Sequence, residues 1–473
     1  MTDLEHVVIG SAPACEPEPT REAEGLHRRL NQRQLTMMAI GGAIGVGLFL
    51  GSGLTVSLAG PGVILSYLLG AGIALIMSYV LAEMAVVHPV AGAFGVYAEK
   101  YLNPWAGFAV RATYGLAQII AIGAEVTAAG LYISFWFPHV PQWIWLVLVS
   151  TALVALNSMQ VNRLGEFEYW FAMIKVTAIV AFIIVGLALI FGIGSRPALG
   201  LANLTQHGGF LPSGWKGVWL ALTITVTSYM GVEIIAVTAG EAERPEVTIP
   251  RAMRNIVYRL ILFYVLAIAI MVTMVPWNRT GSALSGSPFV TAFSAAGIPF
   301  AAGIMNFVVL TAALSSVNTN LYLSTRMLFS LGHGGYAPNW MALGKVSRNG
   351  VPHRALLAST AGIVAAILLA VFAPENAFLK LYGTAVAGML FVWLVILGTH
   401  LRFRKSLGSV RVLNLPMRLP LHPVFTAVGI LLLLAISITT FFVKGLEWSV
   451  PIFALLLVIL SLVYLLSRRP ANI

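Results

Sequence analysis

The sequence runs to 473 residues, 59% of them hydrophobic and 10% charged, with a formal net charge of +11. This composition excludes a soluble domain and a disordered chain, and it indicates an all-α polytopic membrane protein. Long apolar runs also exclude a transmembrane barrel, whose segments would be short and alternating.

Residues 1–34 are polar and carry no secretory signal. The proline-broken acidic run Glu16–Pro19 is followed by His27, Arg28, Arg29 and Arg33, so this stretch is expected to be a flexible cytosolic tail. The one cysteine, Cys15, lies there, so no internal disulfide can form. Twelve hydrophobic segments follow, at about 36–59, 62–86, 104–137, 142–159, 168–194, 216–240, 256–275, 300–331, 354–372, 376–400, 422–443 and 448–467. Each is read as a transmembrane helix, since roughly 20 apolar residues cross a bilayer.

The first segment is unusual. Gly41, Gly42, Gly45, Gly47, Gly51 and Gly53 crowd its centre, and each interior glycine costs a helix about 1 kcal/mol relative to alanine. Non-helical backbone survives in a membrane only when it is buried in protein or lines a cavity. The segment is therefore read as a broken helix whose opened backbone meets a small polar ligand. The competing reading is close helix contact, because Gly41/Gly45 and Gly47/Gly51 both fit a GxxxG pattern.

The sixth segment breaks in the same way at Ser228–Gly231, with Glu233 just beyond and Glu241 at its cytoplasmic end. Gly45-Val46-Gly47 of segment 1 corresponds to Gly231-Val232-Glu233 of segment 6. Two interrupted segments five helices apart point to an inverted five-plus-five repeat with a binding site near the midplane. The organisation is then residues 35–195 for helices 1–5, 215–402 for the inverted helices 6–10, and 420–469 for two added helices. Within the outer loop 277–299, SPFVTAFSAAG is expected to form a short helix; the inner loop 332–353 is read as an ordered elbow.

Lysine and arginine concentrate in alternate loops. Arg251, Arg254, Arg259, Arg402, Arg404 and Lys405 fall on the side of the N-terminal tail, whereas Arg196, Lys216, Arg279, Lys380 and Lys444 fall opposite. The positive-inside rule places both termini in the cytoplasm. It also accounts for the basic charge without nucleic acid.

Ionisable groups inside spans are rare and usually functional. Lys175 sits seven residues past Glu168, about 10 Å along a helix; the plain alternative is a lysine snorkelling to the interface. Glu125 lies among small residues of segment 3, as a pathway group or a protonated structural carboxyl. Glu233 beside the second break is a gating or binding candidate. Glu83 and Arg111 are read as interfacial, and Tyr229 as a side chain facing the ligand. No HExxH, nucleophile elbow or P-loop is present, so neither an enzyme nor an ATP-driven pump is indicated. No metal site or cofactor is expected.

Several stretches in order resemble a known family: IGGAIGVGLFLGSG, GPGVILSYLLG, LAEMAVVHPVAGAFGVYAEKYLNPWAGF, FEYWFAMIKV, GEAERPEVTIPRAMR, STRMLFSLGHGGYAP and WLVILGTHLRFRK. The chain resembles the amino acid permeases of the amino acid–polyamine–organocation superfamily, in the bacterial amino acid transporter branch with the lysine, aromatic and γ-aminobutyrate permeases. The resemblance runs from about Leu26 to Arg469 and implies a leucine-transporter-type fold. It implies that Ile44, Gly45, Val46 and Gly47 hold a substrate carboxylate. The substrate ammonium would meet freed carbonyls around Ser228, Tyr229 and Gly231. It ties Lys175, Glu233 and Glu241 to transport. It also implies that Lys175 takes the place of a bridging cation between segments 1 and 8, near Ser315, Ser316, Ser324 and Thr325. The chain departs from the pattern at Val46, Val232 and Thr227, and at Arg111–Gly115 in segment 3.

The expected activity is proton-coupled import of an α-amino acid across a bacterial cytoplasmic membrane, by a monomer or homodimer. Amino acid exchange is the alternative, and a membrane amino acid sensor a more distant one.

Overall fold

A computed structural model describes residues 32–467, except residues 50, 91, 160, 194–196, 242–244, 281–286, 296–299, 348–349, 373–376, 409–411, 414 and 444. Among the described residues every regular element is helical. Helices α1 (Gln32–Ala43), α2 (Val46–Phe49) and α3 (Gly51–Ala59) make up the first apolar stretch. One tight turn, Gly60–Gly62, leads into α4 (Val63–Val87). The short α5 (Ala93–Tyr101) precedes α6 (Pro104–Ser134). Asn103 caps α6 by accepting from the Ala106 N–H at 2.8 Å, and Pro104 occupies its first turn, where a missing N–H costs nothing.

Next come α7 (Gln142–Asn157), α8 (Val161–Phe191), α9 (Gly214–Ser228) and α10 (Ile234–Val237). They are followed by α11 (Pro245–Met274), α12 (Trp277–Thr280), α13 (Pro288–Ala295) and α14 (Ala301–His333). The chain continues through α15 (His353–Ser359), α16 (Ala361–Phe372), α17 (Ala377–Leu407), α18 (Val424–Thr439) and α19 (Ser449–Ser467). The loop 277–299 does hold a short helix, α13, and it docks on the first stretch. Ser287 Oγ donates to the Phe49 carbonyl at 2.7 Å, and the Phe289 and Phe49 rings meet edge-on at 5.2 Å.

Among the described residues, eight helical stretches are long and apolar enough to cross a membrane. Shorter apolar helices cover Thr36–Phe49, Gln142–Asn157 and His353–Leu368. Several helices outrun their apolar segments: α8 begins at Val161 instead of near 168, α11 at Pro245 instead of near 256, and α17 runs on to Leu407. Hydropathy marks only the apolar portion, whereas the hydrogen-bond ladder continues through amphipathic turns. As a result Glu168 lies two turns inside α8 and is fully buried, not at its entrance.

The long α6 is a central pillar, packed by α14, α17, α16, α5 and α7. α1 rests between α8, α11 and α14. By contrast, α18 and α19 expose leucines such as Leu431, Leu455 and Leu466. Such an apolar surface suits contact with lipid tails.

Glu83 and Arg111, read from sequence as interfacial, are both buried in protein and matched. Glu83 accepts from Arg404 Nε and Nη2, each at 2.6 Å, from the Leu419 N–H, and pairs with His400 Nε2 at 2.9 Å. Arg111 donates to Glu99 Oε2 at 2.7 Å and to Ser330 Oγ at 3.0 Å. Leaving such a group alone costs several kcal/mol, so each is kept with its partner.

Candidate functional site

The helical ladder of the first stretch stops at Ile44 and Gly45, between α1 and α2. Ile44 N–H still reaches the Ile40 carbonyl, and Gly45 N–H closes a tight turn on the Ala43 carbonyl at 3.0 Å. The first N–H groups of a helix have no partner within it. Those of Val46 and Gly47, which open α2, therefore lie at the break. The second ladder stops after Ser228 and resumes at Ile234. The turn between them passes through Gly231 at φ +126°, a conformation that L side chains rarely adopt.

The two breaks touch. A Cβ on Gly231 would lie 2.9 Å from Ala43 Cα and 3.0 Å from Ala43 N, so only glycine allows this approach. The backbone groups released by the breaks are largely taken up by side chains. Tyr264 Oη donates to the Ala43 carbonyl at 2.7 Å, and Lys175 Nζ donates to the Gly41 carbonyl. Glu233, almost wholly buried, accepts from the Gly231 N–H at 2.9 Å and from Tyr114 Oη at 3.3 Å. The carboxylate thus closes its own turn and ties it to α6.

A cavity of about 110 Å³ opens between the breaks. Gly42, Ala43, Gly45 and Gly47 form one side, and Thr227, Ser228, Met230, Gly231 and Glu233 the other. α6 contributes Ala117, Gln118, Ala121, Ala124 and Glu125, α14 contributes Asn320 and Leu323, and α17 contributes Ala385, Val386 and Met389. Glu125 accepts from Asn320 Nδ2 at 3.3 Å. Ser228 Oγ is buried in this wall and has no hydrogen-bond partner among the described residues. Two carboxylates and no cationic side chain appear among the described lining residues. Such a wall attracts an ammonium, while the N–H groups opening α2 attract a carboxylate.

Of the residues singled out from sequence, Gly45, Gly47, Ser228, Gly231, Glu125 and Glu233 line this cavity. Ile44 is fully buried and does not line it. The side chains of Val46 and Glu241 lie outside the described part. The Tyr229 ring is turned away from the cavity. It packs against Tyr67 and Tyr264, with centroids 6.3 and 5.1 Å away, and Tyr229 Oη donates to the Tyr67 carbonyl at 2.8 Å.

Lys175 is completely buried behind α1, where burial against a carbonyl leaves no room for snorkelling. Ser315, a candidate neighbour of that lysine, instead donates to Glu168, while Ser324 and Thr325 donate to the Leu321 carbonyl.

Sequence reasoning missed Glu168, Gln118, Asn320 and Tyr114. The signal for two of them is the helical repeat. Glu168 and Lys175 are seven residues apart, as are Gln118 and Glu125, which puts each pair on one helix face.

The sequence also matches known proteins. Residues 34–468 match the family described as Amino acid permease. The chain is 41% identical over 405 residues to the uncharacterized amino acid permease YtnA of Bacillus subtilis (strain 168), spanning 85% of this chain and 87% of that one. It is 38% identical over 447 residues to the gamma-aminobutyric acid permease of the same organism, spanning 94% of each. It is also 37% identical over 457 residues to the aromatic amino acid transport protein AroP of Escherichia coli (strain K12), spanning 96% of this chain and 98% of AroP. A multi-pass membrane protein with a cavity between two broken helices, matched almost end to end by this family and by relatives 37–41% identical, leads to one conclusion: the chain belongs to the amino acid permease family.

Proposed function

We propose that this permease imports an α-amino acid by proton symport with alternating access. The observation that carries the reading is the meeting of two broken helices at a cavity, with buried Lys175 on the carbonyl side of the first break. The substrate carboxylate sits at the N–H groups of Val46 and Gly47 that open α2, just past the turn at Ile44 and Gly45. Its ammonium sits by the carbonyl end of α9, around Ser228, Tyr229 and Gly231, facing Glu125 and Glu233. Opposite ends of two helices thereby bind opposite charges.

The architecture that suits this is twelve crossings, with helices 6–10 repeating 1–5 in inverted orientation. Both termini lie in the cytoplasm of a bacterial cell. Lys175 fills the position of a coupling cation. Burial disfavours its ammonium and the Gly41 carbonyl favours it, so a proton can be loaded and released there. Glu125, Glu233 and Glu241 take part in coupling or gating.

The printed names of the relatives span γ-aminobutyric acid and aromatic amino acids. A competition panel of the amino acids and γ-aminobutyrate against reconstituted protein therefore reads the substrate. Uptake into proteoliposomes should follow an inward proton gradient and ignore sodium. Sodium-dependent uptake, or counterflow with no response to the gradient, would replace symport by another mode.

A further inference from the structure

Glu168 lies on α8 two turns before Lys175, on the same face, and is completely buried. Helical side chains lean toward the N-terminus of their helix, so the long lysine reaches back along α8 toward this carboxylate. The two groups approach one residue of α1 from different sides, without a direct hydrogen bond between them. Lys175 Nζ donates to the Gly41 carbonyl. On the same residue, a Cβ would fall onto Glu168 Oε1 and 3.4 Å from Glu168 Cδ. Gly41 thus has no side chain where the carboxylate needs the space.

The charged and polar surroundings of Glu168 are few. α14 presents Ser315, which donates to Glu168 Oε1, Asn318, whose Nδ2 donates to Oε2 at 2.9 Å, and Thr319, whose hydroxyl also lies against the carboxylate. Asn318 is itself held by Asn157 Nδ2 of α7 at 2.7 Å. α1 presents Gly41, and α8 presents Lys175. α6 brings Glu125, whose charge also acts on Lys175. Glu125 and Glu233 line the cavity, whereas Glu168 does not. It is therefore a carboxylate of the lysine site and not of the substrate site.

We propose that Glu168 is the proton partner of Lys175, taking the proton from its ammonium on the way to the cytoplasm. The inference rests on the symport reading above. In the transfer, one Nζ–H bond breaks and one O–H bond forms on Glu168, leaving a neutral amine and a neutral acid. The acid then gives its proton to cytoplasmic water and returns to carboxylate. Neutralising a buried ammonium and a buried carboxylate removes a desolvation cost on both, so the transfer is feasible away from water once the flexible lysine swings from the Gly41 carbonyl to Glu168. Because Ser315 and Asn318 hold the carboxylate from α14, the event is mechanically linked to α1, α8 and α14 together.

Glu168→Gln tests this, because glutamine keeps an acceptor oxygen for Ser315 and cannot take a proton. Wild type, Glu168→Gln and Glu168→Asp are reconstituted and compared in two assays. These are counterflow without a gradient, and accumulation driven by an inward proton gradient from acidic to mildly alkaline pH. The expected result is unchanged counterflow in Glu168→Gln with loss of gradient-driven accumulation, and partial recovery in Glu168→Asp. Wild-type accumulation at every pH in Glu168→Gln would overturn the inference and leave symport intact. Parallel loss of counterflow and thermal stability in both variants would overturn it by making Glu168 a brace. A wild type indifferent to the proton gradient would overturn symport and this inference together.

Discussion

Gly231→Ala is the sharpest test of the two-break site. At φ +126° an alanine is strained, and its Cβ would sit 2.9 Å from Ala43 Cα, against backbone and not against a yielding side chain. Backbone strain of this kind costs about 1–3 kcal/mol and overpacking about 1–3 kcal/mol, so the variant should lose roughly 2–6 kcal/mol of stability. Any relaxation must push the α9–α10 turn away from α1, which also withdraws the Gly231 N–H from Glu233. Gly398→Ala is the control. That glycine lies inside α17 with nothing within 4 Å of a built Cβ, so alanine there should gain up to about 1 kcal/mol from helix propensity. Thermal melting in detergent and counterflow in proteoliposomes should therefore move in opposite directions for one identical chemical change. Wild-type melting and counterflow in Gly231→Ala would refute the contact between the breaks.

The other predictions concern the polar groups around the breaks. Gly47→Val should fold and insert but lose substrate binding, read by ligand-induced thermal shift, because a β-branched side chain would enter the cavity at the start of α2. Lys175→Ala should lose proton-driven accumulation while keeping downhill exchange, and Lys175→Arg should fail as well, since arginine stays charged in proteins; accumulation in either variant would remove the lysine from coupling. Glu233→Gln retains one acceptor for the Gly231 N–H, so it should slow exchange between the two facing states more than it weakens binding. Uptake kinetics and equilibrium binding separate the two effects. Glu83→Ala would strand Arg404 and His400 without their carboxylate, and should lower stability by about 3–5 kcal/mol in thermal melts without altering substrate selectivity.

Local features of the sequence determined much of this protein. Long apolar runs require helices in a membrane, and the glycine density of residues 41–53 and the single Gly231 of the second break mark where a helical ladder is least favoured. The ladders stop at Ile44–Gly45 and between Ser228 and Ile234 because those stretches lack the propensity to continue. A lysine within an apolar run likewise announces itself as costly.

Only the tertiary structure decided which groups meet. Helical periodicity assigns residues to a common face, but it leaves open how that face is rotated against its neighbours. The Tyr229 ring therefore turned out to belong to an aromatic cluster with Tyr67 and Tyr264, and Gln118 and Asn320 to the cavity wall. Hydropathy also misplaced the start of α8, because it sees the apolar stretch and not the ladder beyond it. Glu168 looked like a helix entrance for that reason. The seven-residue spacing puts it on the face of Lys175, but only the packing of Ser315, Asn318 and Gly41 around it shows that it is a buried, hydrogen-bonded carboxylate.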